Sequence, residues 1–419
     1  MGETTLITAP VGLYPPACAV ESTLDSVSSQ LRMIRPSEAR AFTVMKAGVY
    51  FHGVVYGASG YAEEGWMEAL GVADSGIPVQ LHPLGDLRDS RHLLPAEARR
   101  RLHILHRNRV DLAQSVYFQS APAQFWDFSR AGRVCVGRTM FEADGLPDGW
   151  KDLCERMDEV WVPSRFNLET FSNAGVSELR LRWMPAGVDT CLFRPGTEPL
   201  EIPGKRGFNF LSVFDWHPRK GYDVLLKAYM REFKPDEDVA LMVKIYQMQA
   251  WAEDVESTLI HFIESEVGLP LEKTPPLILL NGYIPQKDMP RLYASGDAYV
   301  LPSRGEGYCR PYMEAMACGI PVIATRWSGH LDYLNDGNGY LIDLEGLSPV
   351  PLDTRVEFLA GQNWAEPSIE HLQQLMRQVF NHREEARARA LLGRQKMVDE
   401  YDWEVTNKRL VSGFRYLLD

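Results

Sequence analysis

Short runs that are apolar at every position constrain this chain more than any other feature. Val116-Tyr117-Phe118, Val134-Cys135-Val136 and Ala298–Leu301 have no polar alternation. A strand with one wet face alternates polar and apolar residues, whereas these read as strands buried on both faces. That is the pattern of a parallel sheet covered by helices. Around them the order strand, tight turn, helix, strand recurs. Gly48-Val49-Tyr50-Phe51-His52 leads into Gly57-Ala58-Ser59-Gly60, then a helix over Tyr61 to Leu70, then Gly76–Leu81. This is βαβ grammar.

A Pro-, Gly- and charge-rich stretch interrupts the pattern before Phe208. Beyond it, strands are expected at Phe208–Phe214, Ala240–Tyr246, Leu277–Leu280, Ala298–Leu301 and Pro321–Thr325, with a helix over Tyr222–Phe233. At 419 residues the chain also exceeds the roughly 250–300 that one hydrophobic core serves. The expectation is two Rossmann-like doubly wound domains facing each other across a cleft. Residues 1–46 form an N-terminal extension of unclear structure, 47–195 the first domain and 196–207 a linker. Residues 208–400 form the second domain, and 401–419 a helix packing back on the first. Apolar spacing from Trp403 to Leu418 supports that last helix. Ligands of such sheets bind at the carboxyl ends of the strands, so the cleft is the expected site.

The formal net charge of −12 argues against a protein that coats nucleic acid, which needs clustered Lys and Arg. Six scattered cysteines form no C-x-x-C pair and no zinc spacing, the usage of reduced thiols in a cytoplasmic protein. No apolar run approaches the ~20 residues that span a bilayer. A basic helix carrying Arg99–Arg101, Arg107 and Arg109 leaves peripheral contact with anionic lipid open, against the plainer reading of a solvated face. Asp236-Glu237-Asp238 is formally a D-x-D triplet, but it sits in a charged loop and is expected to face solvent, so no metal is assigned.

Chemistry concentrates between Leu301 and Gly319. A buried strand ends at Leu301, a Gly-bearing loop follows, and a helix begins near Pro311, which favours a first helical turn. Free N–H groups at such a helix start suit phosphate. Glu306 in the loop and Glu314 in the helix can line one ligand, their carboxylates accepting from sugar and ribose hydroxyls. Two isolated glutamates would more often be solvated; the surrounding Gly, Pro and small residues favour a built site.

This stretch resembles the E-x7-E element of retaining glycosyltransferase family 4, enzymes of two-Rossmann GT-B architecture. Glu306 and Glu314 have the seven intervening residues. Four further elements match in order: Val160-Trp161-Val162-Pro163-Ser164, Pro185–Asp189 with Phe193-Arg194-Pro195, Arg219-Lys220-Gly221, and Pro321–Thr325. The resemblance implies a retaining transfer of a hexose from a nucleoside diphosphate sugar, UDP- or GDP-linked, to a hydroxyl of a glycan or small-molecule acceptor, with no further cofactor. A sugar-nucleotide epimerase and a non-catalytic scaffold of the same fold are the rivals.

By the same resemblance, Glu306 binds donor-sugar hydroxyls, Glu314 the ribose, and Lys220 the pyrophosphate. Backbone amides of Gly307, Tyr308, Cys309 and Arg310 face the sugar. Gly57 and Gly60 belong to a loop similar to the one that approaches donor phosphate or acceptor. Three positions depart from the family. Cys309 stands where Gly is usual, and Asp215 stands where an Arg is common, with Arg219 its first substitute. No histidine occupies the usual cleft position, so Gln119 replaces it or His52 reaches in. Glu142, after the strand at Val134, completes the acceptor-side candidates.

Overall fold

The protein is described from a computed structural model over residues 6–10, 46–57, 59–85, 94–246, 255–281, 284–351 and 359–419. In chain order the first half contains β1 (Leu6–Pro10), β2 (Val49–Gly53), α1 (Gly60–Asp74), β3 (Val79–Pro83), α2 (Ala96–Arg107), β4 (Val116–Ser120), β5 (Val134–Arg138), α3 (Trp150–Glu155), β6 (Glu159–Val162), α4 (Arg165–Asn173) and β7 (Leu181–Trp183). The second half contains β8 (Asn209–Asp215), α5 (Tyr222–Glu232), β9 (Ala240–Tyr246), α6 (Val255–Phe262), β10 (Leu277–Asn281), α7 (Met289–Tyr293), β11 (Ala298–Leu301), α8 (Arg310–Ala317), β12 (Val322–Thr325), β13 (Tyr340–Ile342), β14 (Leu344–Pro349), β15 (Asn363–Pro367), α9 (Ile369–Asn381), α10 (Arg383–Glu400) and α11 (Trp403–Leu418).

Two parallel sheets result, ordered β3-β2-β4-β5-β6-β7 and β1-β10-β9-β8-β11-β12-β13. The apolar runs become their central strands: β4 and β11 are buried at every residue. Phe51 and Phe118 pack under the sheet with Trp161 and Phe414 in tilted and edge-on contacts, ring centroids 5.0–5.6 Å apart. Phe414 belongs to α11, so the last helix of the chain completes the core of the first sheet. Ser59 caps α1 by accepting from the Ala62 N–H, and Ser164 caps α4 by accepting from Asn167.

Three segments tie the domains together. β1, from the expected N-terminal extension, pairs in parallel with β10 at the edge of the second sheet. The antiparallel ribbon β14–β15 leans on the first domain, where Asn363 donates to Asp144 and Gln362 to the Leu146 carbonyl. Finally, the chain returns through Asp402, which caps α11 and accepts from Thr190. Pro15-Pro16 and Cys18 lie outside the described residues, as does Ala58 in the first glycine-bearing loop.

In each sheet the strand order reverses once, between β8 and β11 in the second and between β2 and β4 in the first. A crevice opens at such a reversal, outside the carboxyl ends of the strands. The loops after β8, β11, β2 and β5 meet there.

Candidate active site

The site is built outward from β11. After Leu301 the chain turns through Ser303 and Gly305 to Glu306, a buried carboxylate. Lys220 Nζ lies 2.6 Å from Glu306 Oε1, Ser303 Oγ donates to the same oxygen at 2.7 Å, and Arg219 lies 3.3 Å from Oε2. Burial works against ionising this carboxyl, but Lys220 and Arg219 outweigh it and bring its pKa down to about 2. Lys220 is placed by a sharp turn. Gly221 has φ +66, and a Cβ there would sit 1.9 Å from the Pro302 carbonyl oxygen, so only glycine lets the two loops approach.

Past Glu306 the backbone enters α8 through Cys309, at φ +65. That left-handed conformation is natural for glycine and costs other residues roughly 1–3 kcal/mol. Its neighbours hold it: Tyr333 Oη donates to the carbonyls of Tyr308 and Cys309, at 2.5 and 2.8 Å. Burial pushes the Cys309 thiol well above its ordinary range, which removes it as a nucleophile. Ser328 is likewise strained at φ 88, and its Oγ accepts from the Glu306 N–H at 3.0 Å.

Glu314, one turn into α8, differs from Glu306. Tyr293 Oη donates to it at 2.8 Å, and Arg310 stands 3.8 Å away. Burial and the nearby Glu63 carboxylate push its pKa up to about 7, with Arg310 opposing them.

The first domain supplies the other wall. Gly57, Gly60, Tyr61, Glu63, Glu64, Met140 and Glu142 line one cavity with Asp215, Arg219, Lys220, Glu306–Arg310 and Glu314, enclosing about 350 Å³. That volume fits a small-molecule site. Two ion pairs cross between the walls, Arg219–Glu142 at 3.6 Å and Arg310–Glu63 at 2.9 Å. Gln286 also donates to Glu63. Burial raises the Glu142 pKa, with Arg219 opposing and Glu306 adding to the rise. Beneath this wall Arg138 is buried against Glu64 and Glu68, with Nε 2.8 Å from Glu68 Oε1. Tyr61 Oη accepts from the Met140 N–H at 3.1 Å, holding the loop that carries Glu142.

Most of the residues singled out in the sequence therefore meet in one cavity: Gly57, Gly60, Glu142, Arg219, Lys220, Glu306, Gly307, Tyr308, Cys309, Arg310 and Glu314. His52 and Gln119 do not line it. They face each other in register on β2 and β4, one residue short of the strand ends, on the sheet face opposite Phe51 and Phe118. There His52 Nδ1 meets Tyr117 Oη at 3.2 Å, and Gln119 exchanges hydrogen bonds with the Asp127 backbone at 2.6 and 3.0 Å. Strand alternation thus turns both away from the cavity, and the expectation that one reaches a transferred sugar is corrected. Sequence reasoning missed Glu63, Tyr293 and Gln286. Only Glu63 carried any local signal, as an acid in a first helical turn. The Asp236–Asp238 triplet serves structure: Glu237 pairs with Arg377, and Asp238 accepts from Gly207. Among the described residues no cluster could hold a metal ion, and no helix is long and apolar enough to cross a membrane.

Two facing Rossmann-like domains with a phosphate-suited helix start and flanking glutamates give the chain the GT-B architecture of nucleotide-sugar glycosyltransferases. Residues 205–348 match the family model Glycosyl transferases group 1, so the second domain carries that family's signature. The chain is 21% identical over 342 residues to a GDP-mannose-dependent monoacylated alpha-(1-6)-phosphatidylinositol monomannoside mannosyltransferase of Corynebacterium glutamicum, covering 76% of this chain and 80% of that protein. It is 25% identical over 268 residues to a GDP-mannose-dependent alpha-(1-6)-phosphatidylinositol monomannoside mannosyltransferase of Mycolicibacterium smegmatis, 60% of this chain and 61% of that one. Among solved structures, HepE of Anabaena in complex with UDP-glucose superposes with a TM-score of 0.60 at 14% identity, over 88% of this chain and 99% of that chain.

Proposed function

We propose that the chain is a retaining glycosyltransferase of family 4 that moves a hexose from a nucleoside diphosphate sugar, UDP- or GDP-linked, to an acceptor hydroxyl on a glycan or small molecule. The observation that carries this reading is the convergence of Lys220, Glu306 and Glu314 on the start of α8, inside a cavity between two domains. Glu306, ionised by its cations, accepts from donor-sugar hydroxyls. Glu314, oriented by Tyr293, accepts from the ribose. The diphosphate lies against the free N–H groups at the start of α8, where partial positive charge gathers.

In the reaction the bond between the sugar and the phosphate oxygen breaks, and negative charge develops on the leaving diphosphate. The fixed Lys220 ammonium stabilises that charge. The acceptor oxygen forms the new bond from the same face of the sugar, and its proton passes to the departing phosphate oxygen. No covalent intermediate on the protein is needed. Glu142, on the opposite wall, faces the acceptor. Contact between the walls excludes water and limits hydrolysis of the donor.

GDP-mannose, named for two relatives, and UDP-glucose, bound in the Anabaena structure, set the test panel. Release of GDP or UDP with each donor, with and without simple glycosides as acceptors, followed by NMR assignment of the product anomer, tests the reading. A product that keeps the donor's configuration is expected. An inverted product would overturn retention, a donor sugar epimerised without acceptor would replace transfer by epimerisation, and no turnover of any donor would defeat the proposal.

A further inference from the structure

Among the described residues, the cations lining the cavity are Arg219, Lys220 and Arg310, all from the second domain. The first domain contributes carboxylates to the lining, Glu63 and Glu142 among them. Lys220 is held by Glu306 of its own domain, whereas Arg310 is held by Glu63 across the cleft. A diphosphate entering this space carries negative charge into a lining already rich in carboxylates. It must therefore take a cation from one of them.

The partners decide which cation is available. Arg219 is engaged chiefly within its own domain: it donates to the Gly305 carbonyl at 2.5 Å and pairs with Glu306 at 3.3 Å, while Glu142 across the cleft stands farther off at 3.6 Å. Arg310 has one carbonyl partner, Gly187 at 3.1 Å, and one carboxylate at ion-pairing distance below 3 Å, Glu63. Its Nε–H is buried and has no hydrogen-bond partner among the described residues. A buried donor left unpaired costs about 1–3 kcal/mol, so this guanidinium is under-satisfied as it stands. It also springs from the first residue of α8, beside the helix N–H groups that suit phosphate.

Building on the donor-site reading above, we propose that the Arg310 side chain is a ligand of the donor diphosphate and that Glu63 occupies the phosphate's place until the donor arrives. The guanidinium fork suits two phosphate oxygens as well as it suits a carboxylate. Donor entry is then an exchange of counter-ions at Arg310, after which Glu63 keeps its bond from Gln286. The position with Asp215 in place of the family's usual Arg is thereby compensated from a different loop. Glu63 also becomes a positioning residue, because it sets how much a diphosphate must overcome to bind.

Calorimetric titration of the full chain with UDP, UMP, GDP and GMP tests this, since the monophosphate reports the nucleoside grip and the diphosphate adds the exchange. The preference for UDP over UMP, or GDP over GMP, is read within each variant, so a reduced folded fraction does not distort it. Arg310→Met is expected to cut that preference about tenfold or more, the size of a lost charge-assisted bond. Glu63→Gln is expected to raise it by removing the competitor, and because Glu63 is partly exposed this variant keeps the test alive if Arg310→Met fails to fold. An unchanged preference in folded Arg310→Met, or an unchanged or lowered one in Glu63→Gln, overturns the inference while leaving the donor site intact. Absence of UDP and GDP binding to the unaltered protein would instead defeat the donor-site reading, and this inference with it.

Discussion

The two walls of the cavity are built on different principles. The wall from the second domain is over-determined. Glu306 alone has Lys220, Ser303 and Arg219 on its side chain and Ser328 on its N–H, and it tolerates two strained residues, Cys309 and Ser328, to hold that shape. The wall from the first domain presents carboxylates on α1 and the loop after β5, anchored from below by one buried ion-paired cluster around Arg138. One wall is preorganised to stabilise charge, while the other meets it through cross-cleft ion pairs. Chemistry on the donor is therefore expected to depend on the second wall, and assembly of the cleft on the first.

The largest expected effect is on the first wall. Arg138→Met leaves Glu64 and Glu68 buried without their counter-charge, and removing one partner of a buried pair costs roughly 3–5 kcal/mol. Denaturant unfolding reads this directly, and a loss under about 1 kcal/mol would show that the cluster does not anchor the wall. Next comes Lys220→Ala on the second wall. Turnover at saturating donor is expected to fall about 10²–10³-fold, as for loss of one preorganised charge stabiliser, with a smaller loss of stability than at Arg138 because Arg219 and Ser303 still hold Glu306. A drop in stability of the same size as the drop in rate would blur the contrast between the walls.

How much of this was legible in the chain follows the same division. The strand runs, the Ser164 cap and the loop-to-helix passage from Leu301 to Gly319 are local, and each can be read from neighbours within one or two turns. The glutamate spacing and the residues after β11 are likewise contiguous, so the second wall largely announces itself. The partners of Arg310 and Glu314 do not: Glu63, itself bonded by Gln286, and Tyr293 come from other elements and reach them only through the tertiary fold. The resemblance misled in one place. His52 and Gln119 sit near the ends of cleft-facing strands, and only the register shows that they point at Tyr117 and Asp127. Likewise, nothing short-range says that Leu6–Pro10 crosses to the edge of the second sheet.

A smaller effect sharpens the comparison within the second wall, between its two glutamates. Glu306, lowered to about 2, contributes stability that is present above the ordinary carboxylate range and lost as the pH falls towards 2. Glu314, raised to about 7, has the opposite sign: its contribution is present below the ordinary range and lost as the pH rises through 7. Because ribose hydroxyls donate to an ionised carboxylate, nucleotide affinity is expected to rise with pH across about 6 to 8. Glu314→Gln is expected to flatten that profile, whereas a variant with the unaltered slope would detach it from Glu314. The smallest effect is at Cys309. Cys309→Gly relieves a positive φ, a gain of order 1 kcal/mol set against the lost burial of its side chain, so the melting temperature is expected to hold or rise slightly. A clear fall would mean that the thiol's packing outweighs the strain.

If Glu306 to Glu314 grips a sugar nucleotide, calorimetric titration of the unaltered chain and Glu314→Ala with UDP and GDP will show it. One of the two nucleotides is expected to bind the unaltered protein, and the variant, still folded by circular dichroism, is expected to lose at least about tenfold in affinity, as when a hydrogen-bonding charged group is removed. Equal binding by the two proteins would contradict it.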